Sequence, residues 1–256
     1  MPHSIIDSLA VKHVVNFPEK PTLIFLHDSL GCIELWRDFP EQLAQACGCN
    51  YLVYDRQGYG KSCGFSNEKR GLDYLEHEAD LLQLLLEKHQ IKQAILFGHS
   101  DGGSIALLTA ARHPQNIIGI ITEGAHVLVE EVTLDGIREV MHQYQTTDLK
   151  SRLEKYHGKN TQALFDAWTL TWTSAMFRVW NIEYCLHEIK CPALIIQGED
   201  DAFGTVDQVN RITAQIQKAQ RLMLHKTGHN PHKEFPEKVI ELTADFVLKM
   251  IKSAQE

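Results

Sequence analysis

Ala94-Ile95-Leu96-Phe97-Gly98-His99-Ser100-Asp101-Gly102-Gly103-Ser104-Ile105-Ala106-Leu107-Leu108 is the stretch on which the fold turns. Ala94 to Phe97 is an apolar run that reads as a buried strand, and Ile105 to Leu108 continues as helix. Between them Gly98-His99-Ser100-Asp101-Gly102 matches G-x-S-x-G. That pattern builds a sharp strand-to-helix turn that presents a serine hydroxyl, and its glycines are needed because the turn is crowded. Three fixed residues match by chance in about one chain in ten of this length, so the flanking strand and helix carry the reading. A serine here could also serve only as a helix N-cap.

Outward from this turn the chain repeats the same alternation. Apolar runs at 22–26, 51–54, 94–97, 117–122, 193–197 and 221–224 read as strands of a mostly parallel sheet. Helical patterns fall at about 36–47, 73–89, 101–113, 205–218 and 234–252. Residues 11–15 read as part of an antiparallel edge hairpin. The expectation is an α/β fold with helices on both faces of the central sheet, its core formed by 1–126 and 190–256. The segment 127–189 has helical periodicity without a strand and holds Trp168, Trp172 and Trp180. It reads as a helical cap over the carboxyl ends of the strands, where such sheets bind ligands. Trp168 and Trp172, four apart on one helix face, either wall the substrate pocket or seal the cap to the core.

Composition narrows the function. At 256 residues, 44% hydrophobic and 23% charged, the chain suits one large domain. A net charge of −8 works against phosphate backbones and anionic lipid. No stretch approaches the roughly 18 apolar residues of a membrane span, and no basic-then-apolar leader is visible. The expectation is a cytoplasmic enzyme acting on a small molecule, with no nucleic-acid or membrane partner and its oligomeric state open. The six cysteines lack disulfide or metal-knuckle spacing and read as reduced, mostly buried thiols.

A serine nucleophile needs a base, and the base an orienting carboxylate. Leu194 to Gln197 is a buried strand that runs into Gly198-Glu199-Asp200-Asp201. Asp201, three residues after the glycine, suits a side chain that turns back toward the nucleophile; Asp200 is the alternative. Lys226-Thr227-Gly228-His229-Asn230-Pro231-His232 supplies His229 as base. Gly228 and Pro231 prevent the continuous helix that a His-x-x-x-His zinc site uses, so no metal is expected. His232 is read as lining the pocket or holding the loop. The oxyanion donors are expected to be the backbone N–H groups of Asp101 and of Ser29, in Leu26-His27-Asp28-Ser29-Leu30-Gly31. Gly60-Lys61-Ser62 is not a phosphate loop, because Asp55 stands where that loop needs glycine. No dinucleotide fingerprint follows a strand, and no cofactor is expected.

Together the His27 turn, Gly58-Tyr59-Gly60-Lys61-Ser62, the Ser100 turn, Asp201 and Gly228-His229 resemble the α/β-hydrolase superfamily over almost the whole chain. Gly102-Gly103, Asp135-Gly136-Ile137-Arg138 and Cys191-Pro192-Ala193-Leu194 are similar to valacyclovir hydrolase-like (biphenyl hydrolase-like) proteins. The resemblance implies ester hydrolysis through an acyl-enzyme, and it implies that Asp101 binds a substrate amine. Helix-dipole stabilisation, about 0.3–1 kcal/mol, would also account for an acid at this position. Asp28 departs from the family's usual glycine, and Gln57 from its usual arginine. A carbon–carbon bond hydrolase, or a receptor on the same scaffold, are the alternative functions.

Overall fold

The computed structural model describes residues 2–65 and 70–253. Among the described residues the apolar runs form seven strands: β1 Val11–Val14, β2 Thr22–Leu26, β3 Asn50–Tyr54, β4 Ala94–His99, β5 Ile117–Glu123, β6 Ala193–Gly198 and β7 Ala219–Leu224. They join in one sheet in the order β1-β3-β2-β4-β5-β6-β7, and every pairing is parallel except that of β1 with β3. Strands β2, β3, β4 and β6 are buried along their whole length, which is why their sequences read as continuous apolar runs rather than alternating ones.

The hairpin expected at residues 11–15 does not form. β1 is the antiparallel edge, but it pairs with β3, from Val11 opposite Tyr54 to Val14 opposite Tyr51. Both edges of β2, its neighbour in sequence, are already taken by β3 and β4.

Among the described residues ten α-helices surround the sheet: α1 Pro2–Ile6, α2 Phe39–Cys47, α3 Tyr74–Lys88, α4 Asp101–Arg112, α5 Glu131–Thr146, α6 Leu149–His157, α7 Thr161–Trp172, α8 Val206–Gln215, α9 Pro231–Glu234 and α10 Pro236–Ser253. The helix expected from residue 36 starts at Phe39. Ile33–Trp36 is a 3₁₀ turn, and Arg37, at φ 54°, breaks the chain direction before α2. Side chains alternate along the strands into two cores. Ile24, Leu96, Ile120 and Ile195 face α3 and α4, while Leu23, Phe25, Phe97 and Ile196 face α2 and α10.

The segment between β5 and β6 carries α5, α6 and α7, joined to the sheet by two short extended crossings that meet at Leu128 and Asn181. Trp172, Phe177 and Trp180 pack ring on ring, with centroids 5.0 to 5.4 Å apart. They belong to the same cluster as Leu96 and Ile120, so this insert shares the core of the sheet. All six cysteines are free thiols; Cys32, Cys47, Cys49 and Cys185 are buried, Cys63 and Cys191 partly so. Among the described residues no helix is long and apolar enough to cross a membrane.

Candidate active site

Ser100 is the single residue between β4 and α4, at φ 55° and ψ −119°, a conformation that L-residues rarely adopt. The turn closes only because neighbouring side chains are missing. A Cβ on Gly98 would lie 2.1 Å from Gly102 O, and one on Gly102 would lie 2.0 Å from Leu26 O. The Ser100 N–H donates to Glu123 O (2.8 Å), and its carbonyl accepts from Gly103 N (2.8 Å) and Ser104 N (3.1 Å), so the turn is fixed on both sides.

Two further loops at the same edge of the sheet bring His229 and Asp201 together. His229 Nδ1 lies 2.9 Å from both Asp201 carboxylate oxygens. Asp201 Oδ1 also accepts from Phe203 N (2.8 Å). Burial alone would raise the Asp201 pKa, but His229 and the Phe203 N–H outweigh it and hold the carboxyl below its ordinary value. Glu199 and Asp200 point to solvent, and Glu199 pairs with His225 at 2.7 Å. Gly124, at φ 56°, follows β5 directly beneath this pair. A Cβ there would lie 2.8 Å from His229 Cε1, so only glycine leaves the imidazole its place.

His27 and Asp28 shape the loop after β2. His27 Nε2 accepts from Arg56 N (3.1 Å) and its Nδ1 lies 2.7 Å from Asp28 O. Asp28, the departure from glycine, is not at positive φ, so the substitution strains nothing. Its Oδ1 accepts from Leu30 N (2.7 Å), and its Oδ2 lies 3.1 Å from His99 Nδ1 and 3.7 Å from Lys233 Nζ. Burial would raise its pKa, yet Lys233 and His99 carry it well below the usual carboxylate range. Among the described residues nothing accepts a hydrogen bond from Ser29 N or Asp101 N.

Ser100, Ser29 and His229 open on one cavity of about 320 Å³, walled by Leu30, Val140, Leu149, Leu153, Trp168 and Phe203. This size falls at the lower end of small-molecule sites. A groove of about 360 Å³ between β7 and α10 is slightly larger but contains no paired nucleophile and base.

The other residues read from sequence as substrate contacts do not line this cavity. Asp101, the first residue of α4, is buried, with Tyr74 Oη at 3.1 Å and Arg56 Nη2 at 3.6 Å from its carboxylate. The cation it faces is internal. Trp172 Nε1 donates to Tyr74 Oη (2.8 Å), which turns that ring into the core. His232 lies behind the site, its Nδ1 2.6 Å from Glu123 Oε2 and its ring 4.6 Å from that of Trp36. Gly124, Arg56, His99 and Glu123 were not singled out in the sequence. Of these only His99, inside the G-x-S-x-G motif, carried a local signal.

A serine at a strained turn after the central strand, a carboxylate after β6 and a histidine after β7 are the layout of one large class of enzymes. The family model described as the alpha/beta hydrolase family matches residues 23–242, and the chain belongs to that family. Among curated relatives, it is 28% identical over 209 residues to the human serine hydrolase BPHL, covering 77% of this chain and 68% of that one. It is 24% identical over 268 residues to the 2-succinyl-6-hydroxy-2,4-cyclohexadiene-1-carboxylate synthase of Salmonella typhimurium, covering 93% and 98%. Among solved structures, a carboxylesterase study of Nitrososphaera gargenis gives a chain with TM-score 0.77 at 19% identity, covering 96% of both chains. The enol-lactonase of Burkholderia xenovorans LB400 gives 0.73 at 17%, covering 93% and 96%.

Proposed function

We propose that this hydrolase cleaves small-molecule carboxylic esters through Ser100, His229 and Asp201. The observation that carries the reading is the strained Ser100 turn opening on the same cavity as a histidine braced by a buried carboxylate. Asp201 holds the proton of His229 on Nδ1, which leaves Nε2 free as the base. His229 takes the Ser100 hydroxyl proton as Oγ attacks the ester carbonyl. The resulting oxyanion accepts hydrogen bonds from Ser29 N–H and Asp101 N–H. Collapse expels the alcohol, protonated by His229, and leaves the acyl group on Ser100. Water then gives its proton to His229, attacks the acyl carbonyl, and the acid departs as Ser100 recovers its proton.

Leu30, Val140, Leu149, Leu153 and Trp168 favour an uncharged acyl group, while the charged lining residues Asp28 and Lys233 face each other at 3.7 Å. The α-amino esters implied by the resemblance fit less well, because the Asp101 carboxylate already faces Arg56 and lies outside the cavity. Ser100→Ala should lower kcat on 4-nitrophenyl esters by at least about 10³-fold with the fold intact. Wild type should be labelled by a fluorophosphonate at Ser100 alone. A variant that keeps a tenth of wild-type turnover would sink the reading. Stoichiometric labelling without turnover of any ester would instead favour carbon–carbon bond cleavage or a receptor.

A further inference from the structure

Arg56 follows β3 and is almost fully buried, yet among the described residues its Nε and Nη1 have no hydrogen-bond partner. Nη1 lies 4.0 Å from Glu78, and the guanidinium carbon lies 4.6 Å from the centroid of the Tyr59 ring. A buried cation with unfilled donors is poor value for stability, since apolar residues in its place often do as well or better. Its remaining contacts all lead to one place. Arg56 Nη2 donates to Asp28 O at 2.9 Å. His27 reaches the same oxygen: its Nε2 accepts from Arg56 N, so the neutral ring carries its proton on Nδ1 and donates that to Asp28 O. Burial, with Arg56 beside it, pushes the His27 pKa well down and keeps the ring neutral.

The Asp28 carbonyl belongs to the peptide unit whose N–H is that of Ser29. In a trans peptide the two groups point in opposite directions. Two donors on the oxygen therefore fix where the Ser29 N–H points, and a charged donor polarises it as well. The same Arg56 Nη2 lies 3.6 Å from the carboxylate of Asp101, whose N–H is the second oxyanion donor. We propose that Arg56 is a positioning residue that aligns the two halves of the oxyanion hole, through the Asp28–Ser29 peptide on one side and Asp101 on the other. The proposal rests on the reading of Ser100 as nucleophile.

The test compares Arg56→Lys and Arg56→Gln with wild type on 4-nitrophenyl butanoate, with kcat expressed per site titrated by fluorophosphonate. The inhibition constant of butylboronic acid, whose tetrahedral adduct places an oxygen in the hole, is measured in parallel. Removing an oxyanion donor outright lowers kcat about 10²- to 10³-fold. A donor misaligned rather than lost should lower it about 10- to 100-fold in Arg56→Gln, with a smaller fall in Arg56→Lys and KM within about two-fold. The boronate constant should rise in proportion to the loss of kcat. Unchanged kcat per titrated site and unchanged boronate binding, even with a lower Tm, would make Arg56 a counter-ion for Asp101 and Glu78 and overturn the proposal. If Arg56→Gln does not fold, Arg56→Lys decides alone. It retains the charge but loses the Nη2 donor to Asp28 O, so full activity in it overturns the proposal. Turnover surviving in Ser100→Ala would mark the failure of the site reading instead.

Discussion

At the scale of single residues, the contrast between Asp201 and Asp200 is the sharpest. Both follow Gly198, but only Asp201 reaches His229 Nδ1, and Asp200 is exposed. Asp201→Asn should lower kcat by about 10³- to 10⁴-fold, because an amide no longer holds the imidazole in the right tautomer. Asp200→Asn should change kcat less than two-fold by about the same reasoning, having no bond to the ring. Equal losses in steady-state kinetics would show that the wrong carboxylate was chosen. The turns that carry Ser100, Asp201 and His229 were legible because each is announced by a glycine after or before an apolar run. Arg56, Gly124 and Glu123 were not, since their partners lie across the sheet and nothing local marks them. Glu123 gives a second residue-scale prediction. Burial pushes its carboxyl up to about 7, against the pull of His99 and His232. The native state then keeps a proton that the unfolded chain has already released, so this group's contribution to stability is full below the unfolded pKa. It falls as pH rises toward 7. Glu123→Gln removes that slope, and its Tm relative to wild type should be more favourable at pH 8 than at pH 5. Thermal melts showing the same difference at both pH values would contradict this.

At the scale of elements, α7 shows how two residues with one sequence pattern part company. Trp168 and Trp172 lie four apart, and helical spacing cannot tell a pocket wall from a core seal. The structure separates them: Trp168 lines the cavity, while Trp172 donates to Tyr74 Oη inside the core. Trp168→Ala should therefore lengthen the preferred acyl chain of 4-nitrophenyl esters. Trp172→Phe should leave that preference alone and lower stability by about 1 kcal/mol for the lost hydrogen bond. A chain-length profile that shifts with Trp172 and not with Trp168 would reverse the assignment. The pairing of β1 belongs to this scale too. Its strand character was plain in the sequence, but its partner depends on β2 being flanked already by β3 and β4.

At the scale of the whole molecule, the sheet and the insert fold around a shared cluster of side chains, and the site sits where β4, β5 and β6 end side by side. The strained backbone at Ser100 acts on this whole, because native stability is a small difference between large terms. Holding a non-glycine residue in such a conformation costs about 1–3 kcal/mol. Ser100→Gly relieves it, less the roughly 0.5–1 kcal/mol of extra freedom that glycine gives the unfolded chain. Each net 1 kcal/mol should raise Tm by about 2–4 °C in a chain of this size. Ser100→Ala should show no such gain, having kept its Cβ, and calorimetry on the two variants would separate strain from the mere loss of a hydroxyl. With Ser100 as the proposed nucleophile, natural selection for activity and selection for folding pull this one position in opposite directions. A library of variants sorted only for resistance to heat or proteolysis should drift toward glycine at residue 100, accumulating robust but inert descendants.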